Sequence, residues 1–123
     1  MAYLTDRKRA QGLGSAKTGT EHFWHMQMSS VALAVLIPLF VIVFGSILGA
    51  PHAEVVAYFA RPFPAIVTGL TLIVGFVHFK GGAQVMLEDY SHGTTRKALI
   101  IGATSISYAC IGIGLFALIR LAL

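Results

Sequence analysis

Charged residues divide the chain into long apolar stretches. None falls between Glu21 and Glu54, between Arg61 and Lys80, or between Lys97 and Arg120. A helix needs about 20 predominantly apolar residues to cross a bilayer. The first and third stretches meet that length alone. The second meets it by running past Lys80, whose aliphatic stem can carry its ammonium to the interface. The pattern predicts membrane helices at about 23–48, 64–88 and 98–121.

Polar and breaking residues punctuate these spans. Trp24 sits where an interfacial aromatic belongs. Pro38 is expected to kink the first helix, its lost hydrogen bond tolerated inside a packed bundle. Gly49-Ala50-Pro51 stops that helix, and His52 to Phe59 reads as a short amphipathic surface helix in the 49–61 loop. Pro62 or Pro64 then opens the second span, where the missing proline N–H has no intrahelical partner to lose. Residues 89–97 read as a loop, with Ser91, Gly93, Thr94 and Thr95 as turn formers and Arg96-Lys97 as anchors. Gly69, Gly75, Gly81 and Gly82 in the second span, and Gly102, Gly112 and Gly114 in the third, mark surfaces for close helix contact. Residues 1–21 read as an exposed N-terminal tail, with Thr20 or Ser15 as a cap for the helix that follows.

Composition agrees with an integral membrane protein. Of 123 residues, 56% are hydrophobic and 11% charged, against about 25% charged in a soluble domain. The fold class is therefore all-α, a three-helix membrane bundle preceded by its tail. The net charge of +4 sits in tails and loops, where it sets topology and gives no nucleic-acid signal. Arg7, Lys8, Arg9 and Lys17 precede the first span, and Arg96-Lys97 precede the third; the other end has Arg61 and Arg120. The positive-inside rule puts the N-terminus and the 89–97 loop in the cytoplasm and the C-terminus in the periplasm. The polar first residues and the length of the first apolar run argue against a signal peptide. Cys110 is the single cysteine, so no intrachain disulfide can form.

Candidate chemistry gathers in the second span. An ionisable side chain inside a membrane helix is expensive and by default marks a functional site. His78 is such a residue, and imidazole is the usual axial ligand of b-type haem. Asp89 lies eleven steps on, roughly 20° off the same face and about 16 Å along the axis. Gly75 and Gly82 fall within roughly 60° of His78, leaving a trough for something flat. The plainer alternative is a neutral histidine bonded to a neighbouring helix. Tyr90 can donate a hydrogen bond to a carbonyl oxygen, a quinone's included, and Asp89 can orient a base or pass a proton. Alternatively, Tyr90 belongs to an aromatic belt and Glu88-Asp89 are solvated charges. His25 offers either a second ligand or an interfacial histidine; Ser29 and Ser30 offer hydrogen bonds within or between helices. His22 adds polarity to the same first turns, and His52 and His92 lie in loops with no assigned role. No metal-ligand cluster, phosphate loop or nucleophile triad is visible in the sequence.

The run His78 … Gly82 … Asp89-Tyr90, with Gly14-Ser15-Ala16-Lys17 and His22-Phe23-Trp24 before it, resembles the small hydrophobic D-type anchor subunits of bacterial succinate dehydrogenase, respiratory complex II. The resemblance covers nearly the whole chain. It implies a multi-pass inner-membrane subunit of succinate:ubiquinone oxidoreductase, with no dicarboxylate site of its own. His78 would be one axial ligand of haem b, the other coming from a sister C-type cytochrome b anchor subunit. Tyr90 would hydrogen-bond ubiquinone, with Asp89 supporting that site. The iron–sulfur subunit and the sister anchor would complete the quinone pocket, and succinate oxidation would occur on the flavoprotein subunit. Some members carry an arginine early in the first helix; here Met26-Gln27-Met28 offers no charge, leaving His25, Lys80 or a partner to meet a haem propionate. Two other readings compete: a cofactor-free structural membrane subunit, and a small multidrug-type transporter component. The latter needs an acidic residue inside a span, and Glu88-Asp89 stand at the end of one.

Overall fold

The computed structural model describes residues 5–14, 16 and 18–122, the side chains of 8, 9 and 11 excepted. Ser15, Lys17 and the side chains of Lys8 and Arg9 therefore lie outside the described residues. Those that are described form five helices and no strand. They are α1 (Asp6–Gln11), α2 (Glu21–Gly45), α3 (His52–Phe59), α4 (Pro62–Tyr90) and α5 (Gly93–Ala122).

Helices α2, α4 and α5 are each long and apolar enough to span a membrane. At 1.5 Å per residue the longer two extend for about 45 Å, past a hydrocarbon core of about 30 Å. Their ends therefore lie at headgroup level, where polar residues stay helical at no desolvation cost. This explains where the structure departs from the pattern. The expected 89–97 loop shrinks to Ser91-His92, because Thr94, Thr95, Arg96 and Lys97 form the first turns of α5. Asp89 and Tyr90 are the last residues of α4. Gly93 makes so short a connection possible, with φ +63°, a conformation that costs a side-chain-bearing residue more.

The described residues before α2 are exposed. They contain the single helical turn and a half of α1, and the Gly19 N–H donates to the Leu13 carbonyl at 2.9 Å. Thr20 holds the N-cap position of α2 but its side chain makes no capping bond. Helix α2 runs unbroken through Pro38. Past Gly45 it tightens, with Leu48 N–H bonded to the Gly45 carbonyl at 3.4 Å. That tightening leaves the Val43 carbonyl without its helical partner. The Tyr58 hydroxyl of α3 donates to it at 3.1 Å, and Ser46 Oγ donates to it at 2.8 Å. The surface helix α3 thereby ties the end of α2 to α4 and α5, and its buried Phe59 lies against Phe44 of α2, ring centres 6.5 Å apart.

Helix α4 is the centre of the molecule. It packs against α2 on one side and α5 on the other, while α2 and α5 do not meet. Leu72 of α4 faces Gly114 of α5, and Gly81 of α4 faces Met26 of α2. Nine steps separate Leu72 from Gly81, about 180° around the helix, so the three spans form a layer with α4 in the middle. Of the glycines flagged for packing, Gly69, Gly81 and Gly114 accept neighbouring side chains closely, whereas Gly75, Gly102 and Gly112 meet nothing within 4 Å. Long apolar side chains such as Val35, Ile42, Ile66, Ile101, Ile113 and Phe116 are exposed. In water such a surface would aggregate; in lipid, or against other subunits, it is at home.

Candidate functional site

Helices α2 and α4 run antiparallel, and two residue pairs bridge their seam at matching positions. A Cβ at Gly81 would lie 2.5 Å from Met26 Sδ, so a side chain there would force the methionine to shift from its seat. Three residues along each helix, in opposite directions, Ser29 Oγ lies 2.8 Å from His78 Nδ1. The close approach at one rung sets the hydrogen bond at the next.

Ser29 Oγ also lies 2.9 Å from the Met26 carbonyl, which can only accept. A hydroxyl has one proton, and with that proton on the carbonyl Ser29 Oγ offers Nδ1 a lone pair. Nδ1 then carries the ring hydrogen and Nε2 is the bare nitrogen. Nε2 has no hydrogen bond among the described residues, and the ring is half-buried. Gly75, on the same side of α4, leaves open space where a side chain would stand. A ring nitrogen with a free lone pair, its opposite nitrogen anchored, is the donor that an axial metal ligand requires. The site fits haem iron on this chemistry.

Asp89 and Tyr90 lie eleven and twelve residues further along the unbroken α4, about 16–18 Å from His78. The helix keeps Asp89 close to the histidine face, as the spacing predicts. The structure places neither in contact with His78. Tyr90 is 84% exposed, and neither side chain bonds to another described residue. Glu88 is engaged by Gln84, whose Nε2 donates to it at 2.9 Å.

The other polar residues near the first span line a groove beside this seam. A groove of about 560 Å³ runs between α2 and α4, with His22, His25, Lys80 and Gln84 on its polar rim. Its α4 wall includes Val74 and Gly81, within roughly 60° of His78, besides Ile73, Val77, Lys80 and Gln84, turned roughly 100–160° from it, and its α2 wall includes Met26 and Ser29. His25 is paired with Glu21 at 3.6 Å on the α2 surface. It does not join His78, and among the described residues no cluster of metal-ligating side chains forms. Lys80 reaches α5 instead, donating to the Tyr108 hydroxyl at 3.3 Å with its ammonium 5.4 Å from the ring centre. His25 and Lys80 line the same groove as Ser29, the partner of His78. The sequence offered Ser29 only as a general hydrogen-bonding residue. Its partner lies 49 positions away, and only the packing of α2 on α4 joins them.

Comparison with known proteins agrees with the arrangement. The chain is similar to the succinate dehydrogenase hydrophobic membrane anchor subunit of Paracoccus denitrificans, at 50% identity over 123 residues, 100% of this chain and 95% of the relative. No solved structure matches it. Residues 1–118 match the family described as succinate dehydrogenase/fumarate reductase transmembrane subunit. Three apolar spans, a donor histidine held on the central one and full-length similarity to an anchor subunit lead to one conclusion: the chain belongs to the succinate dehydrogenase/fumarate reductase transmembrane subunit family, as a hydrophobic membrane anchor.

Proposed function

We propose that this anchor holds one side of a haem b through His78 Nε2 and contributes Tyr90 and Asp89 to a ubiquinone reduction site. The observation that carries the first part is the anchored, half-buried imidazole: Nδ1 is tied to Ser29 at 2.8 Å, and Nε2 has no hydrogen bond among the described residues. A sister C-type anchor subunit would cover that face and supply the second axial ligand. When bound, haem b supplies a one-electron redox centre inside the membrane. His78 binds and orients it, and the open space at Gly75 admits a flat group close to the backbone.

Tyr90 and Asp89 act at the end of the same helix. The tyrosine hydroxyl, without a partner among the described residues, donates to a quinone carbonyl oxygen and holds the ring for reduction. The Asp89 carboxylate, one residue before it, orients a neighbouring base or hands on a proton. Their exposure supports a pocket completed by other chains, namely an iron–sulfur subunit and the sister anchor. A flavoprotein subunit bound beyond them would oxidise succinate. The basic end of the layer, with Arg96 and Lys97, faces the cytoplasm on this proposal, and the C-terminus faces the periplasm.

A dithionite-reduced minus oxidised spectrum of the purified complex tests the haem role. The expected result is a b-type signal that His78→Ala abolishes while the subunits stay assembled. An intact, active complex without haem would reduce the chain to a structural anchor. Protease accessibility of the N-terminal segment in oriented vesicles tests the topology.

A further inference from the structure

We infer that Ser29 is a positioning residue for the haem ligand: its hydroxyl, committed as a donor to the Met26 carbonyl, holds His78 in the Nδ1–H tautomer and aims Nε2 at the metal. The inference rests on the haem role proposed above and extends it to a residue on a different helix. Two distances carry it, 2.8 Å from Ser29 Oγ to Nδ1 and 2.9 Å from Ser29 Oγ to the Met26 carbonyl. With the serine proton on the carbonyl, the first is a donation from Nδ1–H to Ser29 Oγ. Were the serine proton on Nδ1 instead, Nε2 would bear the ring hydrogen and could not bind a metal.

The consequence is electronic as well as geometric. A ring N–H that donates a hydrogen bond makes the opposite nitrogen a better donor to iron. A stronger donor favours the ferric state. Loss of the serine hydroxyl therefore shifts the haem midpoint to more positive potential and weakens haem retention. Outer-shell partners of this kind are typically worth 10–100-fold in metal affinity. A tenfold preference for the reduced form corresponds to about 59 mV for a one-electron couple.

Ser30 supplies an internal control. Its hydroxyl donates to the same Met26 carbonyl, at 2.9 Å, and makes no bond to His78. The experiment measures the haem midpoint by redox titration and the low-spin ferric resonance spectrum in the assembled complex. It compares wild type with Ser29→Ala, Ser29→Thr, Ser30→Ala and His78→Ala. The expected result is a positive shift of about 59 mV, an altered ferric spectrum and faster haem loss for Ser29→Ala. Ser29→Thr, which keeps the hydroxyl, and Ser30→Ala should match wild type. An unshifted Ser29→Ala, or a Ser30→Ala shift as large, overturns the assignment while leaving His78 as the ligand. If wild type holds no haem, or His78→Ala keeps it, the underlying haem role has failed and the inference falls with it. Should Ser29→Ala not assemble, Ser29→Cys places a weaker acceptor in nearly the same volume. A wild-type potential in that variant overturns the inference, and a positive shift supports it.

Discussion

Gly81→Ala is the sharpest test of the seam that builds the site. The new Cβ would stand 2.5 Å from Met26 Sδ, about 0.9 Å short of the 3.4 Å where ordinary contact begins. Overfilling a packed contact costs about 1–3 kcal/mol. Alanine returns about 1 kcal/mol through helix propensity, so the net loss should be about 0–2 kcal/mol. The diagnostic quantity is the coupling with Met26, since Met26→Ala removes the atom that is struck. In the double variant the clash is gone, and the two changes should couple favourably by about 1 kcal/mol, within the usual range for residues in contact. The four proteins of the cycle can be ranked by thermal inactivation of the assembled complex in detergent, read as a relative scale because multi-subunit unfolding is not two-state. A second readout follows from the register of the seam. Displacing α2 by even part of that 0.9 Å stretches the adjacent Ser29–His78 bond, so Gly81→Ala should also loosen haem, and Met26→Ala should restore it. Strict additivity of the two substitutions, or unchanged haem retention in Gly81→Ala, would refute the argument that this contact sets the α2–α4 distance.

Three further outcomes are expected. Tyr90→Phe should lower succinate–quinone turnover while succinate oxidation with an artificial acceptor survives; equal loss of both activities would point to failed assembly, and no loss would remove Tyr90 from the quinone site. Thr68 Oγ1 is buried with no hydrogen-bond partner among the described residues. An unsatisfied buried hydroxyl costs about 1–3 kcal/mol, so Thr68→Val should raise the inactivation midpoint, by about 1 kcal/mol in stability, and a drop would mean that the hydroxyl is used by another subunit. Tyr58→Phe strips the Val43 carbonyl of its 3.1 Å bond across the α2–α3 corner and should cost about 0.5–1.5 kcal/mol, measurable as faster proteolysis of the 46–61 segment with haem content unchanged.

The sequence by itself determined the three spans, the short surface helix at His52–Phe59 and the alignment of Asp89 with His78. Each of these is local. Exclusion of charge over about 20 residues follows from the cost of burying it in lipid, and the angle between two residues of one helix follows from the helical repeat. The ends were harder to read, because Thr94 to Lys97 and Glu88 to Tyr90 carry loop-like polarity yet stay helical at headgroup level. The resemblance carried by His78 and Asp89-Tyr90 named the family, and the full-length match agrees with it. What only the tertiary structure decided is which side chains meet across helices. Ser29 with His78, Met26 over Gly81 and Lys80 against Tyr108 each join residues of different spans. So does the placing of α4 between two helices that never touch. A helix that is apolar all round carries no polar face to mark its neighbour. Register between such helices is fixed by which small residue admits which large one, and that choice is made only when the surfaces close on each other.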